Sequence, residues 1–243
     1  MEPKEIWITR IFNDYFSGAG SYLAGLVGIH AGARPWTNYI TMELLVVAII
    51  VVLFAALRPR LSVEKPGKLQ HCCELVYDFI RSSAEDQIGH DGPKYVAFCG
   101  TLFVFILFMN VIGLIPGFET PTMTPSVTAG CAVAAFLYYN VVGVLALGPL
   151  GYAAHFAGPV WWLAPLMIPV EIASHLARPL SLTIRLFANM FAGEKVTVVF
   201  MGLVSLGVPV AFMGLHLFVC LLQAYVFMIL TMVYVGGAVA HES

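Results

Sequence analysis

The residues best suited to chemistry in this chain are ionisable and amide side chains placed at helical intervals within an apolar segment. Glu171, His175, Arg178, Arg185 and Asn189 follow one another at spacings of 4, 3, 7 and 4 residues. At about 100° per residue, side chains at these spacings share one face of an α-helix. Such groups, spread through the depth of a membrane, can order water and pass protons.

Arg185 differs from the other residues on this face, because a guanidinium group keeps its proton even in a low dielectric. A charged side chain at the centre of a bilayer costs from about 2.5 to more than 10 kcal/mol. A permanent cation repels hydronium and attracts a carboxylate that a partner presents within the membrane. Lysine would serve less well, since desolvation can remove its proton. The pattern therefore predicts two aqueous half-channels separated by Arg185.

A second polar face occurs in the last apolar segment, where His216, Gln223 and Tyr234 are separated by 7 and 11 residues. Two antiparallel helices would turn these polar faces toward each other, with Arg185 and Gln223 near the same depth. Glu194 lies about 13 Å beyond Arg185 along a helix axis, turned toward a different face. The two faces together predict a polar path between the last two helices.

Simpler explanations exist for several of these residues. Arg178 either lines the path, or snorkels, or binds carbonyl groups freed by the proline that follows it. Gln223 is compatible with hydrogen bonding between helices, and Tyr234 with an aromatic belt at the membrane surface. A single buried histidine is more often a core residue, but His175 and His216 both belong to the polar faces, which favours a pathway role.

The composition predicts that these residues lie in a membrane. Hydrophobic residues make up 60% of the chain, charged residues 11%, and the mean hydropathy is +0.87. A net charge of -2 excludes a basic surface for nucleic acid. Five cysteines without a C-x-x-C pair favour buried free thiols, and the histidines lack metal-ligand spacing. We therefore expect neither a metal nor another cofactor.

The apolar segments divide into two classes by length. Segments 39–57, 95–115 and 129–147 match the thickness of the hydrocarbon core as helices. Segments 165–206 and 208–240 are longer, which predicts strong tilt or an oblique hairpin.

In residues 68–88, apolar side chains recur at spacings of three and four residues, and charged side chains occupy the opposite face. This pattern predicts an amphipathic helix on the membrane surface. The fold class expected is an all-α polytopic membrane protein with about five membrane helices and this one surface helix. Residues 1–38 form an extracytoplasmic tail and residues 39–243 a single membrane domain in this interpretation.

The distribution of basic residues predicts the orientation. Half of the 12 lysine and arginine residues lie between positions 58 and 94, whereas the loops at 116–126 and 148–160 contain none. By the positive-inside rule, segment 58–94 and the C-terminus are cytoplasmic, and the N-terminus is outside. The N-terminus lacks the apolar region of a cleavable signal peptide. No internal repeat is visible, which argues against an inverted-repeat transporter.

Four runs of this sequence resemble one known family, the a subunits of F-type ATP synthases. The longest is RPLSLTIRLFANMFAGE at 178–194, and the others are NVIGLIPG at 110–117, PVEIASHL at 169–176 and LQAYVF at 222–227. The similarity extends over most of the chain from about residue 39 onward. Ala188 and Ser126 depart from it, since many members have glycine and asparagine there.

The resemblance implies a proton-conducting stator subunit whose last two helices form a long, tilted hairpin against a ring of c subunits. The essential arginine of the family corresponds to Arg185. The resemblance assigns the outer half-channel to Asn189, Glu194, His216 and Gln223, with Gln223 facing Arg185. It assigns the cytoplasmic half-channel to Glu171, with Tyr234 near its exit, and His175 is expected to belong to the same pathway.

The resemblance also implies b-type stalk subunits and the remainder of the ATP synthase as partners, and a bacterial inner membrane as the location. The transported ion is expected to be the proton, with sodium left open. From the residues alone, an ion or solute transporter that works without a ring is an alternative. A haem-dependent or metal-dependent membrane enzyme is a weaker one, because neither an H-E-x-x-H motif nor a facing pair of histidines is present.

Overall fold

The computed structural model describes residues 5–26, 34–62, 66–115, 117–155, 164–203 and 207–239. Within these residues the chain forms helices and no strands, so the predicted all-α class is confirmed. The described residues form seven α-helices: α1 (Trp7–Leu26), α2 (Asn38–Leu57), α3 (Lys68–Ile88), α4 (Val96–Ile112), α5 (Pro125–His155), α6 (Ala164–Leu203) and α7 (Gly207–Val239). Single turns of 3₁₀ helix occur at Arg58–Arg60, Gly92–Tyr95 and Pro121–Met123.

Four helices of the described chain are long and apolar enough to cross a membrane. They are α2, α4, α5 and α7, with mean hydropathies between 1.9 and 2.9 in their most apolar windows. Helix α6 has 40 residues but carries five charged side chains. Because it packs against both α5 and α7, it belongs to the same bundle. The polytopic architecture is thereby confirmed with four candidate spans in the described residues, and α6, which the sequence predicts as a further membrane helix, packs in the same bundle.

The core of the bundle is apolar, and so is much of its surface. Ile106 of α4, Leu186 of α6 and Met228 of α7 are fully buried in one cluster that also includes residues of α2, α3 and α5. On the outside, Val52 of α2 and Leu145 of α5 are 66% and 79% exposed. A large exposed apolar surface on a folded chain indicates contact with lipid or with partner chains.

Local sequence explains where the helices end. The bounds of α3 equal the amphipathic segment predicted at 68–88, and α2 begins one residue before its predicted span. Helix α4 ends at Ile112, three residues earlier than predicted. Beyond it the chain reverses: the side chain of Thr120 packs directly on Gly113, and Gly117 has a φ of 95°. At α5 the predicted boundary at Gly148 is a kink, after which helical structure continues to His155.

The N-terminal segment contains a helix that the sequence analysis did not predict. Helix α1 is tied to the start of α2 by Asn13, which donates to the carbonyl of Trp36 and accepts from its N–H, both at 3.0 Å. The indole of Trp36 donates to the carbonyl of Phe16 at 2.8 Å. Arg34 also forms an ion pair with Glu5, which raises the pKa of the exposed guanidinium group. These contacts make α1 part of the fold.

Helices α6 and α7 are antiparallel and keep one register over their length. Phe200 stacks on Phe212 with ring centroids 4.1 Å apart. Toward the other end of the pair, the guanidinium of Arg178 lies 5.2 Å from the ring centroid of Tyr234. The hairpin predicted for the last two helices is therefore present.

The bundle has two ends, which we name by the helices that lie there. At the α1 end, the amide of Asn38 donates to Glu119 at 3.1 Å, and Ile6 of the N-terminal segment donates to Asn38 at 3.3 Å. At the α3 end, a Cβ at Gly236 would lie 2.9 Å from the carbonyl oxygen of Gln87. Helix α6 runs from the α3 end to the α1 end, with Arg185 between them.

Candidate functional site

Arg185 lies at the border between the buried and the exposed sides of α6. Its neighbours Leu182 and Leu186 are buried, whereas Ile184 is 54% exposed, and Arg185 itself is partly buried. Within the described residues, no hydrogen bond, ion pair or ring contact involves its guanidinium group. A partly buried cation without an internal counter-charge is costly, so its partner must come from water or from another molecule.

One helical turn from Arg185, a pair of amides connects the two long helices. Asn189 of α6 donates through Nδ2 to Oε1 of Gln223 in α7, at 2.6 Å. Gln223 is buried, and its Nε2 has no partner within the described chain. The family resemblance implies that Gln223 faces Arg185. Its hydrogen-bond partner is Asn189, because the register of the hairpin brings these two positions together.

Toward the α1 end, Glu194 and His216 occupy a closely packed site. The His216 ring lies directly against Gly193, where a Cβ would collide with it. The Glu194 carboxylate lies beside Thr120 and near Glu119. Glu194 and His216 therefore lie close together, although helical spacing turns Glu194 away from the polar face of its own helix.

The polar atoms of this region lack partners to an unusual degree. The described chain contains four buried side-chain atoms without a hydrogen bond, and three of them are Glu194 Oε2, His216 Nδ1 and Gln223 Nε2. Buried polar atoms in folded proteins are almost always paired, with protein or with ordered water. Three unsatisfied atoms on adjoining helices indicate that water occupies this side of the hairpin.

Toward the α3 end, the polar groups are paired with one another. Arg178 lies 3.6 Å from the Glu171 carboxylate and over the ring of Tyr234. Both members of the ion pair keep about a third of their side-chain surface exposed, 29% for Arg178 and 34% for Glu171. Arg178 therefore binds a carboxylate and an aromatic ring, and no snorkelling or carbonyl binding is needed to explain it.

His175 belongs to a network that the sequence analysis did not foresee. Its Nε2 lies 2.8 Å from Oδ1 of Asn140 and 3.3 Å from the hydroxyl of Tyr139, both in α5. The hydroxyl of Tyr152 donates to the same Asn140 oxygen at 2.9 Å. The sequence signal for this network was Asn140, a polar residue in an otherwise apolar span. Its partners could not be predicted, because His175 lies on another helix and Tyr152 lies beyond a kink.

The predicted site residues thus fall into two groups on either side of Arg185. Toward the α1 end, Asn189 pairs with Gln223, and Glu194 lies near His216. Toward the α3 end, Glu171 pairs with Arg178, and the rings of His175 and Tyr234 both lie against Tyr139. Among the described residues, no three histidine, cysteine or acidic side chains lie close enough together to hold a metal ion. The five cysteines are free thiols.

The similarity of the chain to known proteins extends over nearly its whole length. The family model for the ATP synthase A chain matches residues 40–236. The chain belongs to this family. It is 68% identical over 232 residues to ATP synthase subunit a of Solibacter usitatus strain Ellin6076, covering 96% of this chain and 100% of that protein. With the corresponding subunit of Koribacter versatilis strain Ellin345 it shares 49% identity over 242 residues, 98% of each chain.

Membership of the ATP synthase A chain family establishes the general role of the protein. It is a proton-conducting, non-catalytic stator subunit in the membrane sector of an F-type ATP synthase. The chain is a multi-pass protein of a bacterial inner membrane. The resemblance inferred from the sequence motifs is therefore confirmed at the level of family and function.

Proposed function

We propose that this ATP synthase A chain conducts protons through two water-filled half-channels, and that Arg185 keeps them apart. The observation that carries the proposal is the environment of Arg185. It is a partly buried cation with no partner in the described chain, and polar groups lie further along the hairpin toward both of its ends. A chain folded for its own stability would pair such a cation or exclude it.

The half-channel at the α1 end runs along Glu194, His216, Gln223 and Asn189. The unpaired atoms of the first three support it, because each can hydrogen bond to a water molecule. Asn189 carries the path to within one helical turn of Arg185. A proton entering here passes between water and the side chains of Glu194 and His216, both of which exchange protons.

The half-channel at the α3 end includes Glu171, His175 and Tyr234. The partial exposure of Glu171 supports its role as the proton-releasing carboxylate of this end. Arg178 lies 3.6 Å from this carboxylate.

The partner that completes the path is a carboxylate carried by the c-subunit ring. An exposed apolar surface beside Arg185 supports contact with another protein in the membrane, since Leu180, Ile184 and Phe191 are 60%, 54% and 43% exposed. A protonated carboxyl can pass through lipid, whereas an ionised one is attracted by Arg185 and held there. Rotation then follows because each carboxylate loses its charge on one side of Arg185 and regains it on the other.

The proposed orientation has the α3 end in the cytoplasm and the α1 end outside. The basic residues around α3 support it through the positive-inside rule. Each proton that crosses 100 mV in this direction supplies about 2.3 kcal/mol, so several are needed for each ATP. The b-type stalk subunits are further proposed partners.

The test is Arg185→Ala in the complete enzyme, with ATP-driven proton pumping measured in inside-out membrane vesicles. We expect coupled pumping to be lost and passive proton leakage to increase. Lys195→Ala is the matched control, because it removes a cation from the same helix nearly three turns away and should leave pumping intact. Normal pumping by Arg185→Ala would overturn the proposal.

A second experiment tests the ring itself. A cysteine at the exposed position of Ile184 should form a cross-link with a cysteine placed beside the acidic residue of a copurified c subunit. Failure to cross-link in an active complex would contradict the proposed contact. Proton flux through the purified chain reconstituted without c subunits would favour an independent transporter and would overturn the rotary scheme.

A further inference from the structure

Helix α1 begins beside the membrane-crossing part of α2. Buried Ile6 and Ile8 pack in one apolar cluster with Met42 and Leu45 of α2. The 20 residues of α2 are about 30 Å long, which matches the hydrocarbon core, so its first residue, Asn38, lies near one edge of that core. Met42 and Leu45 lie about 6 and 10 Å further along the helix axis. The start of α1 is therefore at the depth where acyl chains begin.

Three large side chains of α1 point away from the fold. Trp7, Ile11 and Tyr15 are 60%, 44% and 80% exposed. They recur every four residues, so they stay within about 80° of one another around the helix. Trp7 lies between Ile6 and Ile8 in the chain and is exposed at the depth at which those two are buried. Exposed apolar side chains of this size indicate contact with lipid or with another protein.

The charged residues of the same stretch lie on a different side of the helix. Arg10 and Asp14 are exposed, and they lie about 60° and 20° from Trp7 in the direction opposite to Ile11 and Tyr15. The buried residues of α1 occupy the remaining part of its circumference. Helix α1 therefore has one side packed on the fold, one aromatic and apolar side, and one charged side.

This arrangement favours lipid as the partner of the aromatic side. Tryptophan and tyrosine are enriched where a membrane meets water, because their rings are apolar while the indole N–H and the hydroxyl hydrogen bond. A helix with aromatic residues beside a charged side is of the kind that lies in the plane of the membrane surface. Helix α2 exposes Leu44, Val47 and Val51 along its span, so α1 continues an apolar surface that already lies within the membrane.

We propose that α1 is an interfacial helix, which lies in the bilayer surface at the α1 end of the bundle. Trp7, Ile11 and Tyr15 contact phospholipid, and Arg10 and Asp14 face water. Because α1 is hydrogen bonded to the segment that leads into α2, its contact with lipid holds the start of α2 at a fixed depth. The proposal does not depend on the proton half-channels.

The experiment compares two neighbouring positions of α1 in the complete enzyme, reconstituted in phospholipid vesicles. Ile11→Cys and Arg10→Cys are each labelled with a fluorophore. The exposed native Cys72 is replaced by serine in both, and the signal of that parent complex after the same labelling is subtracted. The two positions lie at nearly the same level along the helix and face about 100° apart, so a difference between them reports which side meets lipid.

Two quenchers distinguish the surroundings of the labels. One is phospholipid brominated on its acyl chains, and the other is iodide in the water on both sides of the membrane. We expect brominated lipid to cause the larger loss of fluorescence at position 11, and iodide to cause the larger loss at position 10. Quenching of both labels by iodide alone would show that α1 projects into water. A label at position 11 that neither quencher reaches would show that a protein covers this side. Either result, or a reversed preference of the two positions, overturns the proposal.

If the cysteine variants fail to assemble, the unmodified complex decides the question. It is reconstituted with a phospholipid that carries a photoactivatable diazirine on an acyl chain, and the adducts formed on illumination are located by mass spectrometry. Adducts on Trp7, Ile11 or Tyr15 support the proposal. Adducts on Leu44 or Val47 of α2 without any on α1 contradict it, because the reagent then reaches the neighbouring span and finds no lipid contact on α1.

Discussion

Asn189 donates to Gln223 at 2.6 Å and so joins the polar faces of α6 and α7 one helical turn from Arg185. The bond occupies the amide oxygen of Gln223 and leaves its Nε2 without a partner in the described chain. Gln223 therefore links the hairpin through one atom and offers the other to water. From the sequence, Gln223 could either form a contact between helices or belong to the proton pathway. Its position is suited to both roles.

This pairing predicts non-additive effects on the stability of the complex. Asn189→Leu leaves the buried amide of Gln223 with no partner, which costs about 1 to 3 kcal/mol. Gln223→Leu alone removes the partner of Asn189. The double variant removes both polar groups together, so its loss should be smaller than the sum of the two single losses. The measurement is the temperature at which the purified complex releases this chain, and strictly additive losses would contradict the pairing.

The contact between Gly193 and His216 predicts opposite outcomes for two glycine substitutions in the same helix. A Cβ at Gly193 would collide with the His216 ring, whereas a Cβ at Gly202 meets nothing within 4 Å. Alanine favours a helix over glycine by about 1 kcal/mol. We therefore expect Gly202→Ala to be neutral or stabilising, and Gly193→Ala to lower both assembly and pumping. Equal behaviour of the two variants in membrane vesicles would refute the close packing.

The sequence alone predicts features whose pattern lies within a single helix. The bounds of α3 follow from alternating apolar and charged residues, and the polar face of α6 follows from the spacing between Glu171 and Asn189. Burial varies along that face, since His175 is buried, Arg178 and Arg185 are partly buried, and Asn189 is exposed. These predictions succeeded because helical periodicity and membrane thickness are local constraints.

Helical periodicity does not predict the contacts between one helix and another. The partner of Gln223 depends on the register between α6 and α7, which the periodicity of either helix leaves undetermined. The link from Tyr152 to His175 depends on a kink at Gly148 that returns the chain on itself. Helix α1 was missed because its anchor, Asn13, binds the backbone of a residue more than twenty positions away.

The contact between Arg178 and Tyr234 allows the ring and the hydroxyl of the tyrosine to be tested separately. The guanidinium lies 5.2 Å from the ring centroid, a cation–π arrangement worth about 0.5 to 2 kcal/mol. Tyr234→Phe keeps the ring, and Tyr234→Leu removes it. If the ring is what matters, only the leucine variant should lower the thermal stability of the complex. A loss of pumping in the phenylalanine variant would instead assign proton transfer to the hydroxyl.

Water near His216 should be detectable through the reactivity of a cysteine placed there. The unpaired His216 Nδ1 and Glu194 Oε2 indicate a wet site, whereas native Cys220, one turn deeper in α7, is fully buried and bonded to the Asn110 carbonyl. Because only the thiolate reacts, a thiol must reach water before a hydrophilic reagent can modify it. In membranes treated from the α1 side, His216→Cys should therefore be modified far faster than Cys220. Equal rates would show that no water reaches this part of the hairpin, and the half-channel of the α1 end would lose its main support.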